Sequence, residues 1–311
     1  MTHGPPAPSV PMERSALLAA LATVALWAST FPATRFALAS YHPLVLALLR
    51  LLTGGAALAL WAALARVPLP ARRDIPALLT FGLVGIAVSG VALVLGLRTT
   101  SAGAGSFLVG TIPVFSALLA WLALGERLST AAWAGIAISF SGVVLIAWGE
   151  GGGLRLEPGA AWIVLSAFCQ ALFYVGQRPY LRRYSSLHLN CFVVPLGALC
   201  TLPLLALIVD SPSGASVRLL ALLLDQVRAA PWAATAAAAY MGVFPIAIAF
   251  ILWSFALSRA KAAQVTSAMY AMPPLSMALG YYWLGELPGA LSVAGGGAAL
   301  LGVAIVAWRG R

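Results

Sequence analysis

The chain has 311 residues, 62% of them hydrophobic and only 8% charged, with a formal net charge of +10. A soluble chain is nearer ~25% charged, and so few charges cannot cover a globule of this size, so hydrocarbon must be part of its solvent. The basic residues stand between apolar runs rather than along one amphipathic face, which points to the lipid bilayer and excludes nucleic acid as a partner.

In chain order, residues 1–14 read as a Pro-rich, disordered tail. The apolar run that follows is of membrane-spanning length and has a counterpart in the second half, so it reads as a retained helix and not a signal peptide. A bilayer core takes ~20 apolar residues per helix. The runs that qualify are Ser15–Thr34, Pro43–Ala65, Ile75–Leu97, Thr99–Gly125, Leu128–Gly149, Pro158–Gln177, Tyr184–Val209, Ala229–Ser258, Ala262–Gly285 and Leu287–Trp308. The expected fold is therefore all-α, an integral membrane bundle of ten transmembrane helices. Only Arg50 places a charge inside a span.

Orientation follows from Lys and Arg. One set of connections holds Arg14, Arg66, Arg72, Arg73, Arg127, Arg178, Arg182, Arg183, Arg259, Lys261, Arg309 and Arg311. The other holds only Arg35, Arg98, Arg155, Arg218 and Arg228. The richer set, with both termini, is expected in the cytoplasm.

Leu-Gly-Glu occurs twice, at Leu124–Glu126 and Leu284–Glu286, and marks an internal repeat. A shift of 160 lays Pro113 on Pro273, Ser116 on Ser276, Gly135 on Gly295, Gly142 on Gly302 and Trp148 on Trp308. The front parts match at a shift of 143, where Arg35 meets Arg178, Tyr41 meets Tyr184 and Gly54 meets Gly197; the difference fits an extra loop at Asp210–Pro231. The expected organisation is a five-helix repeat at 15–149, a linker at 150–157, a second repeat at 158–308 and a short tail at 309–311. Five is odd, so the halves insert with opposite orientation around a central cavity, a recurrent plan of secondary transporters.

With Trp27-Ala28-Ser29-Thr30-Phe31 early, a mid-helix Pro, and Leu-Gly-Glu before a Gly-rich last helix, all doubled, the chain resembles the drug/metabolite transporter superfamily, and within it the ten-helix EamA-type exporters. The resemblance covers Ser15 to Trp308. It implies a bacterial inner-membrane exporter of small metabolites, the nearest members being exporters of aromatic and other neutral amino acids. The four-helix multidrug members of that superfamily depend on an acid within the membrane; here all eight acids lie at or beyond predicted helix ends. Without such a relay, export is expected to run down the substrate gradient, or to couple through something the sequence does not show. The lack of charge also favours zwitterionic or neutral solutes, with a multidrug or other metabolite exporter as the alternative.

Polar mid-helix residues are the candidate cavity lining: Trp27, Ser29 and Thr30 in the first span, Ser106 in the fourth, Gln170, Tyr174 and Gln177 on one face of the sixth, and Thr266 and Tyr270 in the ninth. The competing reading of each is a helix–helix hydrogen bond, worth about 0.6 kcal/mol. Pro113, Pro273 and Pro274 weaken their helices at equivalent depth and are candidate gating kinks; the competing reading is a static bend. Arg50 either meets a substrate carboxylate or snorkels to backbone carbonyls, and its repeat partner is Val193. Glu126 and Glu286 read as acids favouring the positive end of the helix that follows.

His3, His42 and His188 have no metal-ligand spacing, the cysteines fall inside apolar runs, and no phosphate loop or hydrolase motif is present. No cofactor, metal or enzymatic centre is expected. Gly295-Gly296-Gly297 permits close approach of a helix from the same bundle or from a second copy.

Overall fold

A computed structural model describes residues 13–125, 128–150, 157–208, 215–259, 265 and 268–309. All regular structure among them is helical, and eight helices are long and apolar enough to cross a bilayer. These are α1 (Arg14–Leu38), α2 (Pro43–Leu64), α3 (Arg72–Leu97), α4 (Ala102–Val109, then Ile112–Leu124), α5 (Thr130–Glu150), α6 (Pro158–Gly176), α7 (Ser186–Ile208) and α8 (Trp232–Arg259). Two more apolar helices complete the bundle. In α9 a 3-10 turn at Ala268–Ala271 runs into Met272–Leu284, and α10 spans Ala290–Arg309.

Local chemistry sets many of the ends. Pro158 and Pro43 stand in the first turn of α6 and α2, where a missing N–H costs nothing, and Ser101 opens α4 by accepting from the Ala104 N–H at 3.3 Å. The repeated glycine of Leu-Gly-Glu closes α4 and α9: Gly125 and Gly285 have φ of 67° and 66°, the left-handed cap that favours glycine. Glu126 lies outside the described residues. Glu286 does not serve the start of α10; its carboxylate is taken by Arg35 at 2.7 Å.

The inversion of the halves is visible in the packing of α5 on α10. A Cβ on Gly135 would lie 2.8 Å from the Gly302 carbonyl oxygen, and one on Gly142 would lie 2.5 Å from that of Gly295. As one number rises the other falls, so the helices run antiparallel. Under the 160 shift the first pair becomes the second. A second such set joins α2 to α8 and α7 to α3: a Cβ on Gly54 would sit 2.9 Å from Gly242 O, and one on Gly197 2.6 Å from Gly82 O. These glycines let backbones approach closely where lipid offers no hydrophobic drive to hold helices together.

Irregularities repeat as well. Helix α3 widens to π-helix at Gly82–Val88 and α8 does the same at Gly242–Ile248, again 160 apart. The break in α4 at Gly110–Thr111 matches the 3-10 turn of α9, and Pro113 and Pro273 each stand in the first turn of the helix that resumes.

The segment read as a loop before the eighth span carries a surface helix, Ala215–Ala229. Its Leu222, Leu223 and Val227 pack on the cluster formed by Leu44, Leu48 and Met241, and Gln226 Oε1 accepts the His42 N–H at 2.7 Å. Asp225 and Arg228 point outward, so a one-sided helix rests on the bundle where the sequence suggests only turn residues.

Candidate functional site

Helices of both halves surround a central cavity with about 900 Å³ of empty space including its mouth. Helices α1 to α4 of the first half and α6, α8 and α9 of the second supply its wall. Of the residues singled out in the sequence, Trp27, Thr30, Arg50, Gln170 and Tyr174 come together there.

Each is positioned by its surroundings. The Trp27 indole N–H donates to the Pro245 carbonyl at 3.0 Å, inside the π-helical turn of α8. Its ring stands 5.1 Å from Trp253 and 6.1 Å from Phe250, centre to centre. Thr30 bonds back to the Leu26 carbonyl at 3.4 Å. Tyr174 lies against Phe173, which in turn packs on Phe81. The result is an aromatic wall with a few hydroxyl and amide groups, the make-up of a small-molecule site.

The remaining candidates lie elsewhere. Ser29 bonds the Tyr240 hydroxyl at 2.7 Å and the Leu26 carbonyl at 2.8 Å, joining α1 to α8. Ser106 is fully buried and bonds back to Gly103 O at 2.6 Å. Gln177 is buried at the end of α6, outside the wall, with its Oε1 unpartnered. Tyr270 packs on the cluster of Val114, Ile136 and Val303. Pro113, Pro273 and Pro274 stand behind the wall in their helix starts. Thr266 lies outside the described residues.

Sequence reasoning missed Ser89, the two methionines Met269 and Met272, and the π-helical turns, whose Gly85, Ile86, Pro245 and Ile246 all face the cavity. A π turn leaves no mark in composition. The one available signal was the glycine that opens each, repeated 160 apart.

Exposure is graded along the wall. Thr30, Phe31, Arg50, Ser89 and Leu93, toward the face away from the chain termini, are buried. Tyr174, Phe250 and Met269, nearer the termini, are half-buried. The cavity is thus most deeply buried at the far end, around Arg50.

Polar contacts tie helix ends on that far face, some within the first half and some between the halves. Arg35, in the last turn of α1, meets Glu286 at 2.7 Å and donates to the carbonyls of Leu97 and Arg98 at 3.2 and 3.0 Å. Glu150 accepts from the Ser101 N–H at 2.7 Å and from Ser292 Oγ at 3.0 Å. Near the termini, Asp74 takes Arg183 at 3.0 Å and the Tyr184 hydroxyl at 2.7 Å, and Glu13 takes Arg259 at 3.3 Å, so the halves are tied on that side as well. Among the described residues no acid lines the cavity, and no cluster suited to a metal is present.

The description "EamA-like transporter family" matches this chain twice, over residues 14–148 and 157–308. The chain belongs to that family. It is 36% identical to a protein of Streptantibioticus cattleyicolor named "Probable terminal-alkyne amino-acid exporter", over 94% of this chain and 93% of the relative. It is 35% identical to the Bacillus subtilis protein named "Uncharacterized transporter YdfC", over 88% and 84%. A solved crystal structure, 22% identical, shares the fold with a TM-score of 0.59 over 94% of this chain and 96% of that one. As an EamA family member the protein is a multi-pass membrane transporter, and its cavity is the place to look for a solute.

Proposed function

We propose that this EamA transporter exports small zwitterionic or neutral metabolites, chiefly neutral and aromatic amino acids, across a bacterial inner membrane. Both termini face the cytoplasm, and the two five-helix repeats, 15–149 and 158–308, rock about the cavity to expose it to each side in turn. The observation that carries this reading is the central cavity itself: aromatic walls and, among the described residues, one cation, between two halves that ion pairs join on both faces, Arg35–Glu286 on the far one and Asp74–Arg183 and Glu13–Arg259 near the termini. Trp27, Thr30, Gln170 and Tyr174 contact the solute. The matched breaks before Pro113 and Pro273, with Pro274 beside the latter, let the helices bend as the halves move. The name of the S. cattleyicolor relative supports the substrate class.

With no acid on the wall among the described residues, flux is uncoupled from protons and follows the substrate gradient. Uptake of labelled neutral and aromatic amino acids into proteoliposomes, with and without a pH gradient, tests this. Saturable flux indifferent to the gradient is expected. Absence of flux with every amino acid overturns the substrate class, and proton-driven uphill flux overturns the uncoupled mode.

A further inference from the structure

Arg50 is 6% exposed, and its guanidinium makes no hydrogen bond; Nε and Nη1 are shielded from solvent without a partner. The other ion-paired arginines of the bundle show what is missing. Arg35 has Glu286 and two carbonyls, Arg183 has Asp74, and Arg259 has Glu13. Two carbonyls of the wall already accept other donors, that of Pro245 from Trp27 and that of Gly85 from Ser89 Oγ at 2.7 Å. A guanidinium cannot shed its proton and offers five donors in a planar fork, so an unpaired one in a dry site is costly until a matching anion arrives.

We propose that the cavity recognises its solute by a carboxylate seated on Arg50 at the deeply buried end, and that no charged group meets an amino group there. This deepens the export reading and rests on it only for what is carried, not for what binds. A carboxylate matches the guanidinium fork in two parallel hydrogen bonds. Among the described residues, an ammonium placed beside it finds neutral groups, the hydroxyls of Thr30, Ser89 and Tyr174, the Gln170 amide and the rings of Trp27, Phe173 and Phe250, and no carboxylate. With a zwitterion the occupied cavity keeps one net positive charge; with a 2-oxo acid it keeps none. Carboxylates that lack the α-amino group therefore bind at least as well as the amino acid of the same side chain.

The test is direct binding to the purified full-length protein, by calorimetry, of leucine, its 2-oxo acid 4-methyl-2-oxopentanoate, and leucinamide. The 2-oxo acid is expected within about threefold of leucine or tighter, and leucinamide at least about 30-fold weaker, since it sets a cation against Arg50. In R50K the carboxylates still outrank the amide; in R50Q the ranking disappears. Leucinamide binding as tightly as leucine overturns the proposal, as does a 2-oxo acid about 30-fold weaker than leucine, or failure of any of these carboxylates to bind more tightly than the amide. The wild-type ranking decides even if R50Q does not fold. Failure of amino-acid flux in proteoliposomes, with the ranking intact, removes the export reading and leaves the carboxylate seat standing.

Discussion

Along the seam of α5 and α10, Gly135 faces Gly302 and Gly142 faces Gly295, each pair the image of the other under the internal repeat. Around the cavity the same operation lays Gln170 on Trp27 and Val193 on Arg50. Val193 is fully buried behind the wall, in a cluster with Leu189 and the wall residue Ile246, and does not itself line the cavity. The scaffold keeps both its positions and its residue types under the repeat; the binding surface keeps many positions, such as Gly85 with Pro245 and Val109 with Met269, but changes the residues that fill them, for different physical reasons. A helix crossing without a Cβ works only if both backbones are bare at the contact, so each repeat is held to the same small residues. A solute with a charged end and an apolar end has no two-fold axis, and a symmetric cavity would offer both ends the same groups.

The largest effect should come from breaking the symmetric part. Gly142→Leu puts a Cβ 2.5 Å from Ala299 N and Gly295 O, backbone atoms that cannot step aside. Folded protein is expected to vanish from size-exclusion profiles, and Gly295→Leu should do the same. Gly297→Leu is the control, because a Cβ there meets nothing within 4 Å. If all three express alike, the seam does not hold the halves.

Next in size is the far end of the cavity. Glu286→Gln removes the charge that Arg35 holds, an ion pair about a quarter exposed on each side and so worth about 1 kcal/mol. That biases the far end toward opening by about fivefold. A cysteine at Ser89, on the cavity wall, should then react about fivefold faster with an impermeant thiol reagent added from the face opposite the termini. An unchanged rate would mean that the pair decorates the closure without holding it.

Ser29 and Tyr240 separate wall from scaffold. Their hydroxyls meet at 2.7 Å outside the cavity, so Ser29→Ala and Tyr240→Phe should each cost about 1 kcal/mol of stability in thermal melts and leave the substrate KM unchanged. A shifted KM would return Ser29 to the binding surface. Polarity in a span draws attention to a residue but does not say where its hydrogen bond goes. The fold was readable for this reason: ten apolar runs, an odd-numbered repeat and a doubled Leu-Gly-Glu constrain topology without any side-chain detail. The site was most readable where a group was too large or too charged to satisfy itself locally, though Thr30, which bonds back to Leu26, lines the wall too. Trp27, Gln170 and Arg50 met that condition. Ser106 did not, since its hydroxyl closes on its own helix, and the apolar wall of methionines and π-helical turns looks like any other membrane interior. The surface helix escaped because Asp210–Pro231 read as an extra loop, although Leu222, Leu223 and Val227 are spaced to lie on one side.

The finest test of the comparison uses the paired helix caps. Gly125 and Gly285 have nearly identical left-handed φ, and a Cβ at either would touch nothing within 4 Å, so only backbone strain is at stake. Gly125→Ala and Gly285→Ala should each cost about 1 kcal/mol, and by the same amount if each half is held together in the same way. Melts of the two variants and of the double variant measure it. Equal and additive losses mean that the repeat governs local energetics as well as shape. A larger loss at Gly285 would show strain passing through the adjoining Glu286 into Arg35, and would mark the far closure as the place where the symmetry of the scaffold first gives way to the asymmetry that transport needs.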